Sequence, residues 1–364
     1  MTRSAVPGFA IALGVLVTGL LFAFTVGRYP VALSDVAELM LSRLSGRAST
    51  LPPAVENVIL YIRGPRVIAA VLVGAALAVA GTAFQGLFRN PLVSPDILGA
   101  SSGAALGAVI GIYFSLGVIG IESLAFVGGL IAVGAVVGIY FSLNIFGIQG
   151  LAFAGGLAAV AAVYMIGSAV QSRDPILVLV LTGVVIGALL GAGVGLVKYL
   201  ADPYNQLPAM TFWLLGSLSA TAPADLIPLF GPVALGSLVL IALRWRMNVM
   251  SLPEEEARSL GLATGPLRIA VVAAATLVTS ASVATAGIIG WVGLVVPHLA
   301  RSLVGPDFAR LLPAAAILGG GYLLLIDTLA RSAAQVEIPL GILTAVIGTP
   351  FFIWLLASVS KTWS

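Results

Sequence analysis

The chain contains no cysteine, a single histidine and two lysines in its 364 residues. The first absence excludes disulfides, thiolate metal sites and thiol nucleophiles. The lone histidine, His298, has no partner of its own kind with which to build a metal site. Lys198 and Lys361 follow no glycine-rich loop, so a Walker A cradle and nucleotide hydrolysis by that route are excluded. Charge as a whole is sparse: 9% of residues carry it, against roughly 25% in a soluble domain. The basic residues stand singly or in pairs and the net charge is only +3. That is the pattern of loop anchors beside lipid, with no nucleic-acid footprint.

What fills the sequence instead is apolar: 60% hydrophobic residues and 43 glycines. Long apolar runs recur from end to end, each sufficient to cross a hydrocarbon core of about 30 Å. In such a core every backbone N–H and C=O must find an internal partner, which leaves helices or a closed barrel. The runs are continuous and lack a period of two, so the barrel is rejected. The chain is predicted to be an all-α, polytopic membrane protein with a single transmembrane domain over residues 1–364.

Predicted spans are 8–26, 67–84, 100–116, 124–143, 151–170, 176–196 and 226–243, then 269–286, a short 288–299, 311–329 and 340–356. The basic start and long apolar core of residues 1–30 predict a first membrane helix and not a cleaved leader. Glycine and alanine crowd these spans ("VGAALAVAG", "ILGGG"), which predicts close helix–helix packing. Between the first two spans, "LSDVAELMLSRLSG" predicts an interfacial helix capped by Ser34, with Val36, Leu39, Met40 and Leu44 on its apolar side.

The positive-inside rule places Arg3, Arg89, Arg173, Arg244, Arg246, Arg258, Arg268, Arg301, Arg310 and Lys361 in the cytoplasm. Arg28, Arg63, Arg66, Lys198 and Arg331 then fall outside, and so many external cations need a reason of their own. A tandem repeat adds a second difficulty. Residues 111–137 and 138–164 are identical at 18 of 27 aligned positions, and the duplicated apolar segment upsets the crossing parity between Arg89 and Arg173. One copy is expected not to span.

Acidic residues are few enough to weigh singly. Asp96 and Asp225 precede apolar runs and predict helix caps. Asp327 lies deepest in a span, where a carboxylate is a functional hypothesis by default, yet Arg331 sits one turn away to pair with it. His298 is expected to be a satisfied histidine at a helix end. The densest charge is "SLPEEEARSLGL", residues 251–262. Ser251 and Glu254 have capping-box spacing, three glutamates suit a helix N-terminus, and Gly261 suits a left-handed C-terminus. A short surface helix displaying Leu252, Ala257 and Leu260 is predicted; its charges fit an ordinary solvated loop and a docking element equally.

The run "YIRGPRVIAAVLVGAALAVAGTAFQGLFRNPLVSPDILGASSGAALGAVIG" resembles the FecCD-type permeases, the membrane subunits of type II ABC importers. The resemblance continues through "MTFWLLGSLSA", "EEARSLGL", "GIIGWVGLVVPHLARSLVGPDFARLLP", "DTLAR", Glu337–Pro339 and "LGILTAVIGTPFFIWLL", in the family's order and over nearly the whole chain. It implies a homodimer of about ten-helix subunits in the inner membrane, with a substrate path on the dimer axis. It also implies two copies of a cytoplasmic ATPase below, a periplasmic substrate-binding protein above, no cofactor and no catalytic site in this chain. In the loop at about 247–266, Glu255, Glu256, Ala257, Arg258, Leu260 and Gly261 would couple to the ATPase. Arg63, Arg66 and Arg331 would receive acidic groups of the binding protein, with Asp327 orienting Arg331. The implied cargo is a chelated metal, first a ferric siderophore, with haem, cobalamin and a molybdate-type oxyanion open. The tandem repeat departs from the ten-helix plan. The competing function class is an ion-coupled secondary transporter.

Overall fold

The computed structural model describes residues 5–27, 29–91, 93–94, 100–114, 121 and 175–360, and among these every regular element is helical. In chain order they are α1 (Val6–Thr25), α2 (Leu33–Ser45) and α3 (Pro53–Asn57). A wide π turn (Val58–Arg63) then leads into α4 (Gly64–Leu87). Next come α5 (Ala100–Tyr113), α6 (Pro175–Leu200), α7 (Gln206–Leu214), α8 (Leu226–Met250) and α9 (Glu254–Ser259). The chain ends with α10 (Thr264–Ala286), α11 (Val292–Val304), α12 (Phe308–Ser332) and α13 (Leu340–Ser360). Both copies of the tandem repeat, apart from the first residues of the first copy and Ile121, lie outside the described residues, as do Arg3, Arg28, Asp96, Arg173 and Lys361.

Five helical stretches among the described residues are long and apolar enough to cross a membrane: Val6–Thr25, Pro53–Leu87, Pro223–Met250, Thr264–Ala286 and Phe308–Ser332. Several hydroxyls on these helices are satisfied inside them, whereas those of Thr276, Ser280 and Tyr322 are buried without a hydrogen-bond partner. Thr82, Thr279, Ser282 and Thr328 each donate to the carbonyl one turn back at 2.8 Å, which removes their cost in an apolar medium. In the most apolar windows of Pro53–Leu87 and Thr264–Ala286, 78% of residues are buried within the protein, against 22% in Val6–Thr25 and Pro223–Met250. So α4 and α10 form the centre, while α1 and α8 turn most of their surface outward.

Many of the glycines on α1, α4 and α12 are packing devices, as their crowding predicts, whereas a Cβ added at Gly14, Gly191, Gly195 or Gly231 would meet nothing within 4 Å. α12 runs between α4 and α1 and touches both through "GGG": Gly319 faces Gly74, Gly320 faces Val71, and Gly321 faces Leu16. A Cβ on Gly74 would overlap the carbonyl of Gly319. Only a hydrogen on each side lets the two backbones meet, and close approach is what binds helices where lipid offers no hydrophobic drive.

Two ends emerge. Arg89, Arg258, Arg268, Arg301 and Arg310 lie on helix ends that meet around the Met250–Thr264 turn. Arg63, Arg66 and Arg331 gather at the opposite end, where α1, α4 and α12 meet. These are the partitions the charge rule predicts, and the two ends are called inner and outer below.

Three local expectations need correction. Ser34 does not cap α2; the N-cap is Ala32, whose N–H donates to the Asp35 carboxylate at 3.0 Å. The apolar side of α2 is also divided: Leu39 is buried beside Val31, Val55 and Ile59, whereas Met40 and Leu44 are exposed. The predicted short span 288–299 starts later, as α11, after Gly287 and Trp291 both take left-handed backbone angles (φ +69° and +70°). For tryptophan that conformation is strained. Its ring lies over Gly348 and meets Phe352 with centroids 6.1 Å apart, so packing against α13 holds it there.

Candidate functional site

At the inner end, α9 is a helix of under two turns set between the end of α8 and the start of α10. Its N-cap is Pro253, not Ser251; the Ser251 hydroxyl donates to the Asn248 carbonyl at 2.6 Å and terminates α8 instead. The predicted capping box is therefore absent. The C-terminus does close as expected on Gly261, with φ +79°. Leu262 N–H reaches the Ala257 carbonyl at 3.1 Å and Gly261 N–H the Arg258 carbonyl at 2.9 Å, the paired bonds of a Schellman ending.

The three glutamates have different fates. Glu254 bonds Arg258 at 2.6 Å and Arg268 of α10 at 3.4 Å, and takes a further bond from Thr264 at 3.3 Å. Partial burial alone would raise its pKa, but the Arg268 and Arg258 guanidiniums outweigh burial and hold the carboxyl below its usual range. The carboxylate thus stays ionised as pH falls through its ordinary value, and the tie to α10 is lost only below it. Glu255 and Glu256 point to solvent. Leu260 is 66% exposed, on a helix otherwise crowded with charge. Ala257 is fully buried, so the expected display of this residue is corrected: it seats α9 against its neighbours. What α9 presents outward is Leu252, Glu255, Glu256, Arg258, Ser259 and Leu260, bordered by the Gly261 turn.

The outer end holds a dense charge network. Arg66 on α4 binds Asp327 through both Nε and Nη2, at 2.8–3.1 Å, and Glu337 through Nη1 and Nη2 at 3.1 and 2.7 Å. Ser217 donates to Glu337 at 3.2 Å, tying the loop after α7 to the loop before α13. Arg331 lies 3.7 Å from Asp327 and donates to the Ala23 carbonyl at the end of α1. Arg63 donates to the Phe24 and Tyr29 carbonyls.

The structure therefore brings Arg66 and Arg331 together and puts Arg63 beside them, but gives all three internal partners. Arg63 is 5% exposed. The expectation that its guanidinium faces an outside protein is corrected: it clamps the chain where α1 ends. Asp327 is bound chiefly by Arg66, 261 positions away, and only secondarily by the expected Arg331. Glu337, partner to both Arg66 and Ser217, entered the sequence reading only within the matching element Glu337–Pro339, with no role of its own, because only the fold brings it near Arg66.

His298 lies within α11 and not at a helix end; its Nδ1 is buried with no hydrogen-bond partner, and its ring stands edge-on to Phe351. Among the described residues no three His, Cys, Asp or Glu side chains gather as a metal site.

A model of the FecCD transport family matches residues 15–358. The chain belongs to the FecCD transport family. It is thus a multi-pass permease of the ABC importer class. Among the relatives of this FecCD chain is the molybdate import permease MolB of Haemophilus influenzae, 35% identical over 94% of this chain and 93% of MolB. The cobalamin import permease BtuC of Halobacterium salinarum is 38% identical over 84% of this chain and 75% of BtuC. The hemin permease HmuU of Yersinia pestis is 39% identical over 83% of this chain and 84% of HmuU. A solved metal-chelate type ABC transporter in an inward-facing conformation is 33% identical, with a TM-score of 0.78 over 96% of this chain and 98% of that one.

Proposed function

We propose that two copies of this chain form the membrane channel of an inner-membrane importer driven by a separate cytoplasmic ATPase. The cargo is a chelated metal, in the first instance a ferric siderophore, handed over by a periplasmic binding protein. The observation that carries the proposal is α9. It is closed at its C-terminus by Gly261, tied to α10 by Glu254–Arg268, and offers an exposed leucine among acids at the arginine-rich end. A helix so anchored transmits displacement without a compliant linker, and Leu260 with Glu255, Glu256 and Arg258 suits a groove on a soluble partner. Relatives named for molybdate, cobalamin and hemin permit several cargoes, and the siderophore is preferred within the metal-chelate class of the solved neighbour.

The docking side for the binding protein is the outer end around Arg66 and Arg331. Since Arg66 is already saturated, an incoming carboxylate reaches it only by displacing Glu337, the more exposed of its two acids. Asp327, 1% exposed and held by two arginines, is a poor proton carrier, which disfavours the ion-coupled alternative. The test is the double variant Glu256→Lys/Leu260→Asp in the assembled importer. Uptake is expected to fall by about tenfold or more, while the binding protein still docks at the outer end. Unchanged uptake with the ATPase still bound would contradict the role given to α9.

A further inference from the structure

Three helices meet at their inner ends immediately before α9. Asn248, in the last turn of α8, donates its side-chain N–H to Asp307 Oδ1 at 2.7 Å and accepts from the Phe308 N–H at 2.9 Å. Asp307 in turn caps α12, accepting from Ala309 N–H at 3.0 Å. The Ala309 N–H and the Asn248 amide hold the Asp307 carboxyl below its usual range, so it remains an ionised acceptor. One side chain thus joins the end of α8 to the start of α12.

A second tie comes from α4. Arg89 follows the C-cap Phe88 and takes a left-handed conformation, φ +50°. Asn90 N–H bonds to the Gln85 carbonyl at 3.1 Å and Arg89 N–H to the Gly86 carbonyl at 3.3 Å, the ending that glycine ordinarily supplies. Glycine adopts this backbone freely and an L side chain resists it. The arginine has a use that glycine lacks: its Nε donates at 3.1 Å to the carbonyl of Met250, the last residue of α8. An unfavourable backbone angle held at such a contact points to a role for the side chain.

We propose that Asn248, with Asp307 and Arg89, forms a positioning clamp that makes the end of α8, and with it α9, one rigid body with α4 and α12. Those two helices are pressed together at Gly74 and Gly319 and joined by Arg66–Asp327 at the outer end. A push on α9 is therefore delivered to the helices that hold the outer charge network. The functional meaning rests on the coupling role proposed for α9; the clamp itself does not.

Hydrogen exchange on the full-length permease in lipid nanodiscs tests it. Asn248→Asp sets one carboxylate against another, whereas Asn248→Asp/Asp307→Asn exchanges the groups and can rebuild the pair. Amides of residues 251–263 are expected to exchange about tenfold faster in Asn248→Asp and to return close to the original rate in the exchanged pair. Arg89→Gly relieves the backbone strain, so it should loosen the same segment without lowering the unfolding temperature. Exchange at 251–263 that is unchanged in both Asn248→Asp and Arg89→Gly overturns the proposal, as does failure of the exchanged pair to restore protection. If Asn248→Asp unfolds throughout, Arg89→Gly decides alone. No ATPase is present in this measurement, so a failure of the docking role of α9 would leave its outcome intact.

Discussion

Replacing Arg66 with leucine is expected to cost about 3–5 kcal/mol, the penalty for leaving a buried carboxylate without its counter-charge. Asp327 is 1% exposed and keeps only Arg331, 3.7 Å away, once Arg66 is gone. Glu337 also loses its cation and retains the Ser217 hydroxyl. Three pieces of the outer end should loosen together: α4, α12 and the loop before α13. The unfolding temperature in detergent should fall sharply and the yield of folded protein with it. Removing the stranded acid as well, in Arg66→Leu/Asp327→Leu, should recover much of the loss, because an apolar pair in an apolar site is cheap. If the single variant is as stable as the parent, the network is decorative.

The second large effect is expected at Gly74. Alanine there already overlaps the Gly319 carbonyl, and overpacking of this kind costs about 1–3 kcal/mol. Leucine should separate α4 from α12 outright. Because these helices also bear Arg66 and Asp327, the separation would break the outer network as well, so the loss should exceed that of the alanine variant. Leucine at Gly14, where nothing lies within 4 Å of the added carbon, is the control and should leave stability unchanged. Equal tolerance at both sites would contradict the packing described for α12.

The helices, the two charged ends and the left-handed Gly261 were legible in the sequence because each is written locally. Apolar run length, sign of flanking charge and a glycine after a short polar helix need no knowledge of distant contacts. The outer network was only half legible. Asp327 and Arg331 stand one turn apart and could be paired on paper, but Arg66 and Glu337 reach Asp327 and Ser217 through the fold alone. Ala257 failed for a related reason. Periodicity on a helix under two turns cannot say which side meets α8 and α10, and the small residue proved to be the seat and not the display. The predicted Ser251 cap failed because its hydroxyl had a nearer acceptor in Asn248, one turn back at the end of α8. The inner clamp was invisible for want of any unusual composition: an asparagine, an aspartate and an arginine in separate turns become meaningful only at 2.7–3.1 Å.

The central claim is that this FecCD permease moves cargo at the expense of a partner's ATP hydrolysis, through α9. Uptake into proteoliposomes holding the permease, its ATPase and its binding protein tests that most directly, with a labelled ferric siderophore, haem, cobalamin and molybdate offered singly. The account predicts uptake of one of these only with ATP and both partners, unaffected by a protonophore. Uptake by the permease alone, abolished by the protonophore and by Asp327→Asn, would contradict it.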